Sequence, residues 1–126
     1  MKIDHVALWT TQLEAMKDFY VMAFGGKPGV KYHNPETGFE SYFISFEGGA
    51  RLELMSMPGF EIPSQDRFLG YAHIALALGS IQAVDEVTER LGQQGVVIAS
   101  GPRRTGDGYY ESVILDPDGN RVELTV

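Results

Sequence analysis

The sequence predicts an α+β fold made of two tandem βαβββ modules with curled mixed sheets. Two repeated segments support this prediction. His5-Val6-Ala7-Leu8 returns 68 residues later as His73-Ile74-Ala75-Leu76, and Arg51-Leu52-Glu53-Leu54 returns 70 residues later as Arg121-Val122-Glu123-Leu124. Self-similarity at a near-constant spacing indicates repeated structural units within one domain. We interpret the chain as a single domain, 1–126, with module 1 at about 1–57, a linker at 58–70 and module 2 at about 71–126.

Module 1 is expected to contain a strand, a helix and three further strands. Ile3 to Trp9 is short and rich in β-prone residues, which is typical of a strand. Thr11-Gln12-Leu13-Glu14 matches the capping box that begins many helices. Apolar residues at helical spacing then lead to Gly25-Gly26, which is expected to end the helix. Three extended segments follow, at about 29–33, 40–47 and 50–57.

Module 2 repeats this order. A strand is predicted from Tyr71 to Leu78, and Ser80 is placed to cap the helix that follows. One face of that helix is expected to consist of Ile81, Val84, Thr88 and Leu91. Three strands complete the module, at about 96–99, 109–115 and 121–126. Since one helix cannot cover both faces of a four-stranded sheet, the two sheets must cooperate, side by side or across a dimer.

Four polar side chains are expected to share the open faces of these sheets. Side chains alternate between the two faces of a strand. The large aliphatic residues around them should pack under the helices, so His5 and His73 should project from the opposite faces, beside small alanines. Glu53 and Glu123 point away from the flanking apolar residues by the same alternation. The four groups are therefore predicted to converge in a cavity formed by the two sheets.

Two imidazoles and two carboxylates suit a divalent ion such as nickel, cobalt, zinc, manganese or iron(II). A five- or six-coordinate ion would keep room for water or substrate and would polarise a carbonyl group. A glutamate that leaves the ion would then serve as a base. Two other interpretations remain open at this point. The four residues could hold a closed structural zinc ion, or they could be inherited with the duplication and have no role in binding.

Composition excludes several classes of protein. The chain has 126 residues, 44% hydrophobic and 21% charged, which is typical of one globular domain. It has no cysteine, so disulfides, zinc fingers and thiolate-bound iron–sulfur clusters are excluded. The net charge of −7 disfavours nucleic acid as a partner. No apolar run approaches the roughly 20 residues of a membrane span, and the N-terminus lacks the apolar core of a signal peptide. We therefore expect a cytoplasmic protein with a small-molecule substrate.

The chain resembles the vicinal oxygen chelate superfamily, and within it the glyoxalase I-like branch. The resemblance covers the whole chain, and its most specific part is the stretch from Asp116 to Leu124. It implies paired βαβββ modules around a divalent metal, the glyoxalase/bleomycin resistance fold. The glyoxalase I ligand pattern of His, Glu, His and Glu corresponds in order to His5, Glu53, His73 and Glu123.

The resemblance also implies an activity. Glyoxalase I enzymes convert the hemithioacetal of methylglyoxal and glutathione to S-lactoylglutathione, a lyase reaction that proceeds through a metal-bound enediolate. By this similarity Glu123 and Glu53 are the catalytic candidates, with Glu123 favoured as the base that moves the proton. Members are commonly homodimers that share the site, so His5 and Glu53 of one chain would meet His73 and Glu123 of its partner.

One departure from the family pattern concerns the co-substrate. Glyoxalase I enzymes usually continue after the first ligand glutamate with Thr, an aromatic residue and Asn, whereas Leu54-Met55-Ser56 follows Glu53. This weakens the case for glutathione and leaves another thiol open. Other activities of the superfamily also remain open: an epimerase, a thiol transferase, a dioxygenase, or a drug-binding resistance protein without a metal.

Residues outside the repeated motif give weaker indications. Arg103 and Arg104 are predicted in a glycine-flanked loop, where they would bind a substrate carboxylate or remain solvated. His33 is interpreted as a loop residue, and Arg51 and Arg121 either support the glutamate two positions later or are simply exposed. Four aromatic residues are assigned either to an apolar pocket or to the core: Trp9, Phe43, Phe46 and Tyr110.

Overall fold

The computed structural model describes residues 3–59, 71–106 and 108–126. The chain divides into two compact units, Met1–Ser64 and Gln65–Val126, and the described residues of each unit form one helix and one mixed β-sheet. The α+β class predicted from the repeat is therefore confirmed. Beyond Gly59, the predicted linker at 58–70 lies outside the described residues.

The described part of the first unit forms one long helix and a sheet of five strands. Its elements are β1 (His5–Trp9), α1 (Leu13–Phe24), β2 (Lys27–Pro28), β3 (Tyr32–His33), β4 (Glu40–Ser45) and β5 (Arg51–Ser56). The sheet order is β1-β5-β4-β2, and β3 also pairs with β4. Strand β1 runs parallel to β5, and the other pairs are antiparallel.

The second unit has the predicted βαβββ order. Its elements are β6 (Ile74–Ala77), α2 (Ile81–Gln93), β7 (Ile98–Arg104), β8 (Tyr110–Leu115) and β9 (Arg121–Thr125). The sheet order is β6-β9-β8-β7, and β6 again runs parallel to the last strand of its unit. No helix among the described residues is long and apolar enough to cross a membrane.

Three predictions about local structure were wrong. The single segment at 29–33 is replaced by the two-residue strands β2 and β3, so His33 lies in a strand opposite Glu40 and not in a loop. The strand predicted at 96–99 continues to Arg104, so Arg103 and Arg104 are strand residues. The pairing of β7 with β8 shifts register twice before Arg103, and such irregularities admit Gly and Pro within a strand.

The third wrong prediction was the capping box. The N-cap of α1 is Gln12, and its side chain makes no capping hydrogen bond. Thr10 supplies the nearby hydroxyl, which accepts the backbone N–H of Gln12 at 2.9 Å. The helix does end as expected, because Gly25 adopts the left-handed conformation with φ 66° and donates its N–H to the last turn.

Helix α2 begins with the predicted cap. Ser80 Oγ accepts the N–H of Ala83 at 3.1 Å. Val84, Thr88 and Leu91 face the core, whereas Ile81 is exposed. The hydroxyl of Thr88 lies 2.6 Å from that of Ser112 on β8, so a buried polar pair ties the helix to its sheet.

The alternation of strand side chains agrees with the sequence analysis. On the closing strands, the apolar residues on either side of the glutamates are buried: Leu52, Leu54, Val122 and Leu124. The helix of each unit packs against that face. The opposite face of each sheet is therefore the one that carries the candidate ligands.

Candidate metal centre

The first unit brings His5 and Glu53 together. Strands β1 and β5 are parallel neighbours in which His5 lies opposite Arg51 and Ala7 opposite Glu53. Adjacent strands in this register bring His5 Nε2 to 3.7 Å from Glu53 Oε2. The imidazole side chain is 41% exposed and the glutamate 16%, so the carboxylate is the more deeply placed member of the pair.

The second unit repeats this arrangement. His73 lies one residue before β6, and Ala75 lies opposite Glu123 on β9. His73 Nε2 is 3.5 Å from Glu123 Oε2, with side-chain exposures of 45% and 17%. The two halves therefore resemble each other in backbone structure and also in the separation and burial of these side chains.

Each His–Glu pair fits a divalent ion as two of its ligands. Nitrogen and oxygen donors at about 2.0–2.2 Å from one ion lie roughly 3 to 3.5 Å apart, which is close to the two separations observed. Within the part of the chain that the structure describes, no group of three or more acidic, His or Cys side chains is placed to hold a metal. Binding of one ion by all four residues therefore stays a prediction.

A ring of contacts surrounds His5. Its Nδ1 lies 3.0 Å from Asp4 Oδ2, and Arg51 Nη2 donates to the same oxygen at 2.6 Å. The guanidinium of Arg51 lies over the ring of Phe43 at 4.3 Å, and Phe43 meets the imidazole edge-on at 5.4 Å between centroids. Two roles were considered for Arg51, support of the glutamate or simple exposure. In the structure Arg51 instead binds Asp4, the residue before His5.

A different set of charges surrounds Glu123. Burial, and then the neighbouring Glu111 carboxylate, raise the pKa of Glu123, while His73 opposes the shift. Arg103 Nη2 donates to Glu111 Oε1 at 3.1 Å. Sequence reasoning missed Glu111 because the residue 70 positions earlier is Ser41, so the repeat gave no signal. Strand alternation puts Glu111 on the same face as Val113, but the register that pairs Val113 with Glu123 is known only from the structure.

The family model of the Glyoxalase/Bleomycin resistance protein/Dioxygenase superfamily matches residues 2–124. The chain belongs to this superfamily. That membership agrees with the resemblance found in the sequence, and the likeness extends over both units.

Several known proteins are similar to the chain over nearly its full length. The uncharacterized protein YwkD of Bacillus subtilis (strain 168) is 29% identical over 125 residues, which are 97% of this chain and 94% of that protein. The structure of a glyoxalase family protein from Enterococcus faecalis is 28% identical with a TM-score of 0.81, and the match covers 99% of this chain and 97% of that one. The glyoxalase I of Leishmania major has the same fold at 23% identity, with a TM-score of 0.77 and coverage of 99% and 86%.

The four aromatic residues considered for an apolar pocket fall into two groups in this superfamily member. Phe43 and Trp9 lie on the face of the sheet that carries the ligands, and Trp9 is 44% exposed there. Phe46 instead lies beside Gly26 at the end of α1, and Tyr110 donates to Asp85 of α2 at 2.6 Å. These contacts place Phe46 and Tyr110 on the helix side of their sheets, away from the His–Glu pairs.

The two arginines are held differently. Arg103 is engaged by Glu111, as described above, and Arg104 donates to the carbonyl oxygen of Gly108 at 3.3 Å. Arg103 remains 53% exposed, and recognition of a substrate carboxylate by either residue stays a prediction.

Proposed function

We propose that the protein is a metal-dependent isomerase of the glyoxalase I type, a lactoylglutathione lyase-like enzyme. It would convert an α-oxo thiohemiacetal to a 2-hydroxy thioester. The observation that carries the proposal is the presence of two His–Glu pairs with matching separations, 3.7 and 3.5 Å, each on the sheet face opposite the helix of its own unit. Membership of the superfamily supports it.

His5, Glu53, His73 and Glu123 would hold the ion. When bound, a divalent ion would polarise the substrate carbonyl and make the neighbouring C–H bond more acidic. The donor set of two nitrogens and two oxygens does not select one metal, and it is compatible with nickel, cobalt, zinc, manganese or iron(II).

Glu123 is the proposed base. Its carboxylate would take the proton from the carbon that bears the hydroxyl and sulfur, and return it to the adjacent carbonyl carbon. The hydroxyl proton passes to the other oxygen, so the reaction is an isomerisation that needs no oxidant or reductant. Burial and the Glu111 carboxylate raise the pKa of Glu123, and a more basic carboxylate is the better proton acceptor.

The thiol of the substrate is left open in this proposal. The residues that follow Glu53 differ from the usual glyoxalase I pattern. The Leishmania major enzyme, which has the same fold, is trypanothione-dependent. Thiols other than glutathione therefore belong among the candidate co-substrates.

The test is thioester formation from methylglyoxal by protein loaded in turn with each divalent metal. A panel of thiols, glutathione included, supplies the adducts. We expect turnover with at least one thiol, and we expect Glu123→Gln to lower kcat by about 10²–10⁴-fold because the proton carrier is lost.

Glu89→Gln is the matched control, because Glu89 is an exposed glutamate on α2 and its loss should leave kcat unchanged. Absence of thioester with every metal and thiol would contradict the proposal. So would full activity of Glu123→Gln.

A further inference from the structure

The imidazole of His5 lies against a carboxylate on its Nδ1 side, with Nδ1 at 3.0 Å from Asp4 Oδ2. The same carboxylate oxygen accepts a hydrogen bond from the Arg51 guanidinium at 2.6 Å. A carboxylate paired with a guanidinium acts as a hydrogen-bond acceptor, so this geometry favours a proton on Nδ1 of His5. Nε2 then carries the free lone pair, on the side of the ring that faces Glu53 at 3.7 Å.

Asp4 is itself fixed from a second strand. The guanidinium of Arg51 donates an N–H to Asp4 Oδ2 at 2.6 Å. The backbone N–H of Arg51 donates to the Asp4 carbonyl oxygen at 2.9 Å. Because Phe43 contacts both the guanidinium and the imidazole, the carboxylate, the imidazole and the guanidinium are held as one cluster.

In the described part of the second unit, the position equivalent to Asp4 carries no carboxylate. Ala72 stands where Asp4 would be repeated, directly before His73. Alanine offers no side-chain acceptor, so the repeat preserves the ligand types but not the support of the imidazole. The two halves are therefore chemically unequal.

We propose that Asp4 is a positioning residue that fixes His5 as the Nδ1–H tautomer and presents Nε2 as a pre-oriented metal ligand. The use of that ligand rests on the proposed function, whereas the tautomer does not. A carboxylate on the far nitrogen of a ligand histidine sets the tautomer and typically improves metal affinity by 10–100-fold.

The first experiment needs no metal. Two-bond ¹H–¹⁵N correlation spectra of the metal-free protein, at a pH where its histidines are neutral, report the tautomer of each ring. We expect His5 to be Nδ1–H in the wild type and to lose that preference in Asp4→Ala. Asp4→Asn keeps an acceptor oxygen and should lie between the two.

The second experiment measures divalent metal affinity by calorimetry. Asp4→Ala is expected to weaken binding about tenfold or more, with partial rescue in Asp4→Asn. Asp18→Ala is the control, because Asp18 is an exposed carboxylate paired with Lys17 on α1. The metal affinity of this variant should equal that of the wild type.

An Nε2–H tautomer of His5 in the wild type, or an unchanged tautomer in Asp4→Ala, overturns the inference whatever the protein binds. Unchanged affinity in Asp4→Ala overturns it as well. If the wild type shows the Nδ1–H tautomer but no activity or metal binding, the proposed function fails while the assignment of Asp4 stands.

Discussion

Glu53 and Glu123 occupy equivalent repeat positions but have different neighbours. The register partner of Glu53 is Phe43, and that of Glu123 is Val113 with Glu111 two residues before it. Burial, and then this second carboxylate, raise the pKa of Glu123. The repeat thus preserves the ligand type in both halves, while the neighbouring strand places a second carboxylate beside Glu123.

A charged cluster on the helix side of the first unit is expected to make stability depend on pH. Glu14 accepts hydrogen bonds from Lys17 at 2.9 Å, Lys31 at 3.0 Å and Tyr42 at 3.2 Å. The lysines, Lys17 first, lower its pKa from 4.5 to about 2. A depressed carboxyl pKa contributes stability that is present above the unfolded value and lost as pH falls through the folded one.

We therefore expect the melting temperature to fall between about pH 5 and pH 2, and to fall less steeply in Glu14→Gln. Thermal unfolding at a series of pH values measures this. Glu47→Gln, which removes an exposed glutamate of the same unit, should reproduce the wild-type slope. Equal slopes in all three proteins would contradict the prediction. High salt should reduce the difference, because these groups are partly exposed and screened.

At the scale of elements, the close approach of α1 to its sheet depends on Gly26. A Cβ built there would lie 2.6 Å from Ile44 Cγ2 and 3.1 Å from the carbonyl oxygen of Tyr20. Real Cβ atoms do not approach so closely, and Ile44 is fully buried, so neither neighbour has room to withdraw.

Gly26→Ala is accordingly expected to destabilise the protein by about 1–3 kcal/mol through overpacking. Chemical denaturation measures the free energy of unfolding. Gly48→Ala serves as the matched control, because nothing lies within 4 Å of a Cβ at Gly48 and its φ is not positive. Similar stabilities for the two variants would show that the helix can shift at no cost.

Element boundaries followed from local patterns only where one chemical signal dominated. Ser80 stands alone before α2 and caps it. Thr10 and Thr11 stand side by side before α1, and the capping-box pattern selected Thr11, whereas Thr10 supplies the hydroxyl that accepts the backbone N–H of Gln12. Similarly, Gly101-Pro102 indicated a loop, but the long pairing of β7 with β8 carries the strand past them. In this second case tertiary pairing decided the boundary.

At the scale of the molecule, the repeat made most of the fold predictable. Strand alternation, applied to both copies, placed His5 and Glu53 on one face, and the structure brings them to 3.7 Å. Asp4, Arg51 and Glu111 could not be assigned in this way. Their roles depend on which residue lies opposite on a neighbouring strand, and that register is not encoded in a single segment.

The resemblance implies a homodimer with shared sites, and this expectation leads to a complementation experiment. If each site takes His5 and Glu53 from one chain and His73 and Glu123 from its partner, both His5→Ala and His73→Ala should lose metal binding and activity. A mixed dimer of the two variants would contain one site with both histidines missing and one intact site.

Unfolding and refolding the two inactive variants together should therefore restore up to about a quarter of the wild-type activity. About half of the dimers formed at random are mixed, and each mixed dimer has one intact site out of two. Refolding each variant alone provides the control. No recovery from the mixture, with mixed dimers verified by mass, would mean that the site forms within one chain.

The parallel pairing of the first and last strands in each unit has a consequence for the order of events during folding. His5 and Glu53 are 48 residues apart in the chain, and His73 and Glu123 are 50 apart. Long loops must close before such contacts form. A nascent or denatured chain thus offers an ion only isolated donors. Chelation by a His–Glu pair has to follow the pairing of β1 with β5, or of β6 with β9.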